Sequence, residues 1–306
     1  MAVSETIKRE MIRIAGEANV LSEEPLKAHT SFRIGGPASL FVMPETQEEI
    51  LEILGVLRAS DTPHFILGNG SNLLAADEGY DGVVVQIGKR FAGIRTEGTV
   101  LYASAGALLS QIAVRAMEAS LSGFVFASGI PGTLGGACIM NAGAYGGEMK
   151  DVLRTVRVLL PDGTLRDVPA EEMELGYRSS GFARRGEIVL SAELLLTEGD
   201  ANAIRAEMEE LAALRREKQP LSLPSAGSTF KRPEGYFAGK LISDAGLKGY
   251  RIGGAEVSQK HAGFIVNTGN ATAADVRALI GYIQDTVERE YGVRLETEVR
   301  FLGTVS

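Results

Sequence analysis

Residues 123–147 read GFVFASGIPGTLGGACIMNAGAYGG, in which eight of the 25 residues are glycine and most of the others are apolar. A flexible linker would be polar, and a buried strand would not tolerate so many glycines. Glycine is required where φ is positive or where another group approaches the backbone closely. The core of the stretch, GIPGTLGG, therefore favours a loop whose backbone N–H groups hold a pyrophosphate. Tight turns between core strands are the alternative for this stretch taken alone.

The glycine spacing differs from that of the common nucleotide-binding fingerprints. GIPGTLGG does not fit G-x-G-x-x-G, and we expect no strand–loop–helix unit to follow it. A second segment, LGNGSNLL at 67–74, follows a short predicted strand and offers further backbone donors, with a plain turn as its alternative. The chain contains no P-loop motif. Together with a turn at Gly106, the two loops favour shared binding of a diphosphate cofactor over three unrelated turns.

Composition narrows the class of protein. The 306 residues are enough for two or three domains, and 45% hydrophobic and 23% charged residues are ordinary for a globular protein. A net charge of −8 argues against general nucleic-acid or anionic-membrane binding but allows a local basic pocket. The single cysteine, Cys138, and three histidines argue against a disulfide and a zinc site. Without a signal-like or membrane-spanning apolar run, we expect a cytoplasmic enzyme or binding protein.

Apolar periodicity and capping residues predict four helices. They are Pro44–Ala59, with a capping box at Thr46 and Glu49, Leu108–Ser120, Ala201–Glu217 and Ala273–Tyr291. Predicted strands are His64–Leu67, Gly82–Ile87, Val100–Ser104, Val152–Leu160, Thr164–Val168, Ile188–Leu196, Gly263–Asn267 and Arg294–Phe301, with a hairpin at 161–163. Helices and strands mix without a strict βαβ repeat, which favours an α+β fold. The third helix is long and charged, and it is a candidate bridge to a distinct last domain.

Several polar segments offer groups for a charged ligand. Arg178 follows Tyr177 in YRSS and has the rigid fork that suits a carboxylate, with a surface arginine as the alternative. Cations cluster between 215 and 232, which suits a phosphate-bearing ligand or simply a basic helix end. Ser228 lies in a turn there, without the G-x-S-x-G elbow of a hydrolase. His261 is a candidate substrate contact or a surface histidine.

The order of these motifs resembles the MurB family of UDP-N-acetylenolpyruvoylglucosamine reductases, which are flavoenzymes of peptidoglycan synthesis. The matching motifs are HTSFRIGGPA, LGNGSNLL, SGIPGTLGGACIMNAGAYGGE, YRSSGF, PSAGSTFKRP, AGKLISDAGLKGYRIGGAEVSQKHAGFIVN and LETEVRF. They span residues 29–301, nearly the whole chain. The compact region around YRSS resembles the shorter, second type of the family.

The resemblance implies three domains. Residues 1–85, joined by a C-terminal strand at 299–306, and residues 86–200 would form an FAD-binding fold of the PCMH or vanillyl-alcohol-oxidase type. Residues 201–298 would form an α+β substrate-binding domain. FAD would be noncovalent and would lie between the first two domains. The residues expected to bind it are Gly68, Asn69, Gly70, Ser71, Asn72, Leu73, Gly106, Ile130, Pro131, Gly132, Thr133, Gly135, Gly136, Ala137, Asn141, Gly143 and Ala144.

The resemblance also implies the reaction. NADPH would reduce FAD, and flavin N5 would give hydride to C3 of the enolpyruvyl group of UDP-N-acetylglucosamine enolpyruvate. Arg178 and Glu298 would stabilise the charge at C2, with a raised pKa expected for Glu298. Ser228 would give the proton to C2, a position where the family has Ser or Cys. Substrate contacts would come from Tyr177, Arg178, Lys218, Lys231 and His261. No nucleic acid or membrane is implied as a partner.

Two other functions are weighed against this one. The first is a flavin oxidase of the same fold, which would leave Ser228, Arg178 and Glu298 without a combined role. Rapid reaction of the reduced flavin with O₂ would favour it. The second is a non-catalytic sensor that binds UDP-sugar or flavin, which predicts that alanine at Arg178 or Ser228 leaves function intact.

Overall fold

The computed structural model describes residues 3–304. Its helices are α1 Glu5–Ala15, α2 Gln47–Ala59, α3 Leu109–Glu118, α4 Leu134–Met140, α5 Gly181–Arg185, α6 Ala201–Lys218, α7 Ala238–Asp244 and α8 Ala273–Tyr291. Its strands are β1 Val20–Pro25, β2 Pro37–Val42, β3 His64–Leu67, β4 Leu73–Ala75, β5 Tyr80–Gln86, β6 Ile94–Glu97, β7 Val100–Ser104, β8 Leu121–Ser122, β9 Gly143–Ala144, β10 Gly147–Glu148, β11 Leu153–Leu159, β12 Leu165–Pro169, β13 Ile188–Leu195, β14 Thr197–Glu198, β15 Arg251–Ile252, β16 Ala255–Val257, β17 Ile265–Asn267 and β18 Arg300–Leu302.

The first sheet has the strand order β1-β2-β5-β3. β1 pairs antiparallel with β2, whereas β2 and β3 both pair parallel with β5. The central strand β5 contains a run of three buried valines, as expected where both faces of a sheet are covered. α2 places Ile50, Ile53, Leu54 and Leu57 in the same core. The loop after β3 carries the LGNGSNLL motif, so this sheet fixes one wall of the site.

The second sheet is antiparallel, with the order β12-β11-β13-β7-β6. The predicted hairpin at 161–163 is confirmed, since Gly163 N–H donates to the Leu160 carbonyl at 2.9 Å between β11 and β12. α3 and α4 pack against this sheet, and their apolar residues share one continuous core with the first sheet. This shared core holds the two glycine-rich loops at a fixed separation.

The third sheet is β15-β16-β17, covered by α7 and α8. Its hydrophobic core also takes in Phe32, Ile34, Leu74 and Ala76 from the N-terminal part of the chain. The final strand, β18, returns to pair parallel with β4. The last part of the chain is therefore packed onto the segments that carry HTSFRIGGPA and LGNGSNLL.

The four predicted helices are confirmed, with boundaries that shift by three residues or fewer. α8 has the reciprocal capping box of Thr272 and Asp275 and ends at Gly292 with φ +68°. α2 begins at Gln47, later than predicted, because Thr46 is its N-cap. Its capping box is incomplete, since the Glu49 carboxylate accepts from the Glu45 N–H instead of that of Thr46.

One helix was not predicted, and one strand prediction is wrong. A 3-10 helix at Val125–Ala127, not a strand, precedes the loop at 129–133, and the unpredicted helix α4 follows it. Its Leu134, Ala137 and Cys138 are buried, and this burial outweighs the low helix propensity of the two glycines within it. The predicted strand at 294–301 is only three residues long. Before it, the chain makes a single bridge from Thr297 to Phe230 and runs along the site instead of along a sheet.

No helix within residues 3–304 combines the length and the apolar character needed to cross a membrane.

Candidate active site

Two cavities meet in the middle of the molecule. The larger, about 750 Å³, lies between the two glycine-rich loops, and the smaller, about 400 Å³, lies against the third sheet and α7. Both volumes fall in the range of small-molecule sites. Arg178, Ser228 and Glu298 line both cavities, so the three predicted catalytic side chains stand where the cavities join.

The glycine-rich loops are tied to each other by close contacts. Asn69 Nδ2 donates to the Pro131 carbonyl at 2.7 Å. A Cβ on Gly68 would lie 2.5 Å from Thr133 Oγ1, so only glycine allows this approach. Gly70 has φ +61°, and a Cβ there would lie 2.1 Å from the His29 carbonyl oxygen. The two loops therefore form one wall with exposed backbone and few side chains.

Most of the predicted cofactor residues line the larger cavity. They are Gly68, Asn69, Gly70, Ser71, Asn72, Leu73, Ile130, Pro131, Gly132, Thr133, Gly135, Gly136, Ala137, Gly143 and Ala144. Gly106 and Asn141 lie outside it. Gly106 packs against backbone, where a Cβ would lie 2.0 Å from the Gly88 carbonyl oxygen. Asn141 is buried at the end of α4 and bonds Glu148 and the Gly176 carbonyl, so it supports the wall from behind.

Arg215 of α6 also lines the larger cavity and was not among the predicted contacts. It packs on Gly129, where a Cβ would lie 2.7 Å from Nη1, and its Nε donates to Gln219 at 2.9 Å. Burial lowers its pKa, yet a guanidinium stays charged. Within residues 3–304 it has no ion pair, so it supplies a free positive charge beside the loops. The basic cluster pointed to this helix end but not to which cation faces inward.

Arg178 is held by a tight turn with a left-handed residue. Gly176 and Ser179 exchange backbone hydrogen bonds, and Arg178 between them has φ +50°. Its Nε donates to Glu298 Oε1 at 2.7 Å and its Nη2 to the Gly143 carbonyl at 3.3 Å. A left-handed non-glycine residue is costly, so the turn and these two contacts together fix the guanidinium in place.

Glu298 joins three parts of the site. Its N–H donates to the Thr229 carbonyl at 2.8 Å, and its own carbonyl accepts from Asn72 Nδ2 at 3.1 Å. Its side chain is only 15% exposed. Burial raises the pKa of this carboxyl, and the neighbouring Arg178 opposes that rise without cancelling it. Glu298 therefore holds a proton more readily than an ordinary glutamate.

Ser228 is placed by its two neighbours. Gly227 before it has φ +77°, and the buried Thr229 after it donates its N–H to the Gly263 carbonyl at 2.8 Å. Thr229 also carries the backbone bond to Glu298. The serine therefore lies on a turn that is held by hydrogen bonds at Thr229, and its half-buried side chain lines the junction of the cavities.

The smaller cavity is basic. The predicted substrate contacts Tyr177 and His261 line it. So do Arg178 and four further cations: Arg232, Lys240, Lys248 and Lys260. Burial lowers the pKa of His261. Its Nδ1 accepts the Gly263 N–H at 3.1 Å, so the neutral ring carries its proton on Nε2 and can donate.

Two predicted substrate contacts lie outside both cavities. Lys231 pairs with Glu296 at 3.1 Å, and Lys218 is the exposed last residue of α6. Their neighbours Arg232 and Arg215 line the cavities instead. Arg232 directly follows Lys231, whereas Arg215 lies three residues before Lys218 on the same helix, α6. The sequence places cations in both segments but does not show which of them faces a cavity.

The raised pKa of Glu298 makes folding stability depend on pH. The folded state disfavours the ionised carboxylate of Glu298. The free energy of unfolding therefore falls as pH rises from the pKa of this group in the unfolded chain through its pKa in the folded protein. The loss is about 1.4 kcal/mol for each unit by which the pKa is raised. We expect the free energy of unfolding of Glu298→Gln, relative to that of the wild type, to rise between pH 4 and pH 8. Denaturant unfolding across that range measures it, with the exposed Glu296→Gln as control. A difference that shrinks with pH would contradict the buried-carboxyl assignment.

Comparison with known proteins gives the family. Residues 219–302 match the model of the UDP-N-acetylenolpyruvoylglucosamine reductase C-terminal domain, and residues 38–169 match that of an FAD-binding domain. A UDP-N-acetylenolpyruvoylglucosamine reductase of Alkaliphilus metalliredigens is 51% identical over 98% of this chain and 99% of its own length. A Clostridioides difficile protein of the same name is 48% identical over 96% of each chain.

Solved structures agree with these relatives. The MurB structure from Thermus caldophilus matches with a TM-score of 0.79 and 38% identity, over 93% of this chain and 98% of that one. An alkyldihydroxyacetonephosphate synthase matches 64% of this chain and 41% of its own, with a TM-score of 0.51 and 14% identity, and shows the fold alone. The predicted α+β class with an FAD-binding fold is confirmed.

Proposed function

The chain belongs to the UDP-N-acetylenolpyruvoylglucosamine reductase family. On that basis we propose that it reduces the enolpyruvyl group of UDP-N-acetylglucosamine enolpyruvate, to give UDP-N-acetylmuramate, in its two joined cavities. The reaction belongs to peptidoglycan synthesis. FAD is the cofactor and NADPH the co-substrate. The observation that carries the proposal is the meeting of Arg178, Ser228 and Glu298 at the junction of the two cavities.

The larger cavity fits FAD. Its glycine-rich wall leaves room for a pyrophosphate to lie against the backbone, and Arg215 adds a positive charge without an ion pair within residues 3–304. We assign the noncovalent cofactor to the loops at 68–73 and 130–137. The three predicted domains, 1–85 with 299–306, 86–200 and 201–298, remain our proposal for the division of the chain.

The chemistry needs an acid and a positive charge at the substrate. FAD bound at the loops at 68–73 and 130–137 would supply hydride chemistry, from NADPH to C3 of the enolpyruvyl group. Arg178 is fixed before substrate arrives, so it stabilises the negative charge at C2 and the adjacent carboxylate without reorganising. Glu298 lines the same junction, and its raised pKa favours the protonated form, which can donate a hydrogen bond to an enolate. Ser228 gives its hydroxyl proton to C2 and must regain one before the next turnover.

The smaller cavity is assigned to the UDP-sugar. Its cations suit the diphosphate, and the neutral His261 can donate from Nε2 to an uncharged oxygen of the sugar. Tyr177 lines the same cavity. Lys218 and Lys231 lie outside it in this structure, and we propose that they contact the part of the substrate that extends beyond it. We place the reaction in the cytoplasm, where NADPH and the UDP-sugar are available.

Gly132→Ala tests the cofactor assignment. The nearest atoms to a Cβ at Gly132 are 3.7 Å or more away, so the fold accepts the methyl, while a pyrophosphate against the backbone does not. We expect FAD affinity to fall by about tenfold or more, as for about 1.4 kcal/mol of lost contact. FAD titration followed by flavin fluorescence measures this. Gly55→Ala, on helix α2 with nothing within 4 Å, is the control. Unchanged FAD affinity in Gly132→Ala would contradict the placement.

The proposed reaction as a whole is tested anaerobically, by asking whether UDP-N-acetylglucosamine enolpyruvate reoxidises the NADPH-reduced flavin. The alternative of a flavin oxidase predicts no such reoxidation and rapid reaction with O₂. The oxidase would leave the meeting of Arg178, Ser228 and Glu298 without a combined role.

A further inference from the structure

Phe237 is a large apolar side chain left open to solvent at the smaller cavity. It lines that cavity, and 58% of the residue is exposed. It is the N-cap residue of α7, with extended backbone at φ −121°. An exposed benzene ring gains by burial, so a ligand that covers it would bind more tightly. A flat apolar face beside a cationic cavity is the kind of surface on which nucleobases stack.

Arg232 supports this ring from one side. Its Cζ lies 3.9 Å from the centroid of the Phe237 ring, a cation–π distance. Its backbone N–H donates to the Tyr177 hydroxyl at 3.0 Å, which holds the segment in place. Within residues 3–304 its guanidinium forms no ion pair. The ring therefore packs on one side against a guanidinium that has no carboxylate partner in that part of the chain.

The base and the reacting group of the substrate need different places in the site. Arg178, Ser228 and Glu298 line both cavities, whereas Phe237 and Lys248 line the smaller one only. In the UDP-sugar the enolpyruvyl group is separated from the base by the sugar and the diphosphate. Lys248 has no ion pair within the described chain, so it adds positive charge to the cavity that Phe237 lines.

We propose that Phe237, supported by Arg232, is the platform on which the pyrimidine base of the UDP-sugar stacks. The inference rests on the proposed function for the identity of the ligand. It adds a residue that fixes the nucleotide part of the substrate, away from the reacting atoms. Removal of the ring weakens the binding of the base and leaves the binding of the phosphates unchanged.

Titration of UDP and of inorganic pyrophosphate into the oxidised FAD-loaded protein tests the proposal. We expect Phe237→Ala to raise the Kd of UDP by about 5- to 150-fold, the range that base–aromatic stacking gives, and to leave that of pyrophosphate within about twofold. Phe237→Tyr keeps a ring and should stay within about threefold of the wild type for UDP. Tyr236→Ala removes the adjacent exposed ring, which lines neither cavity, and is the matched control.

Three results would overturn the proposal: a wild-type protein that does not bind UDP, a Phe237→Ala variant with unchanged UDP affinity, or equal losses for UDP and pyrophosphate. Turnover separates this inference from the proposed function. A wild type that reduces the enolpyruvyl sugar, with UDP affinity unchanged by Phe237→Ala, removes only the base platform. A wild type without turnover, in which Phe237→Ala still weakens UDP alone, removes the reaction and leaves the platform standing.

Discussion

Ser228→Ala is expected to slow reoxidation of the reduced flavin by UDP-N-acetylglucosamine enolpyruvate about 10²- to 10⁴-fold, the usual range for loss of a positioned proton donor. Reduction of the flavin by NADPH should stay at the wild-type rate, because that step needs no proton at C2. Ser228 lies where both cavities meet, next to Thr229, whose backbone hydrogen bonds hold the turn. Anaerobic stopped-flow absorbance measures the two half-reactions separately.

Two further variants make this result specific. Ser228→Cys keeps a proton donor and should retain more activity than Ser228→Ala. Ser222→Ala alters an exposed serine six residues earlier that lines neither cavity, and it should behave as the wild type. If Ser228→Ala turned over at the wild-type rate, Ser228 would not be the donor, and water or Glu298 would have to supply the proton.

Arg178→Ala is expected to lower the rate of the same half-reaction about 10²- to 10³-fold, as loss of one preorganised electrostatic group does in other enzymes. The guanidinium bonds Glu298 and the Gly143 carbonyl at once, so it is held where charge develops. Arg178→Lys keeps the charge without the fork and should recover part of the loss. Single-turnover rates at saturating substrate measure the effect on chemistry apart from binding.

Arg184→Ala is the control for Arg178. It removes an exposed arginine of the same segment whose carboxylate partner, Glu174, is also exposed, and surface pairs of this kind contribute little. Its rates should match those of the wild type. If Arg178→Ala changed only the substrate affinity and kept the single-turnover rate, Arg178 would be a binding residue and the charge stabilisation would need another source.

Local sequence patterns predicted the regular elements well. α8 and its boundaries follow from a complete capping box, a periodic apolar face and a terminal glycine, all of which are local. α4 was missed because Gly135 and Gly136 have low helix propensity, and what favours the helix is burial against the second sheet. The segment before β18 alternates like a strand, but its partners are Thr229 and Asn72, which lie far away in the sequence.

The site was predicted chiefly through long motifs. The family resemblance pointed to Arg178, Ser228 and Glu298 together. They meet because of the turn at 176–179, the hydrogen-bonded turn at 227–229 and the segment before β18, and no local sequence pattern describes how these three parts come together. Arg215 and Phe237 were missed for different reasons. The cation cluster did not reveal which arginine faces inward, and an exposed phenylalanine carries no signal until the cavity beside it is seen.

The most direct test of the account uses the purified protein under anaerobic conditions. NADPH should bleach the visible absorption of a bound flavin, and UDP-N-acetylglucosamine enolpyruvate should restore it without oxygen. That restoration is the result the account predicts, because the substrate alone is then left to accept the hydride. A bleached flavin that ignores this substrate and reoxidises only in air, or a protein that holds no flavin, would contradict it.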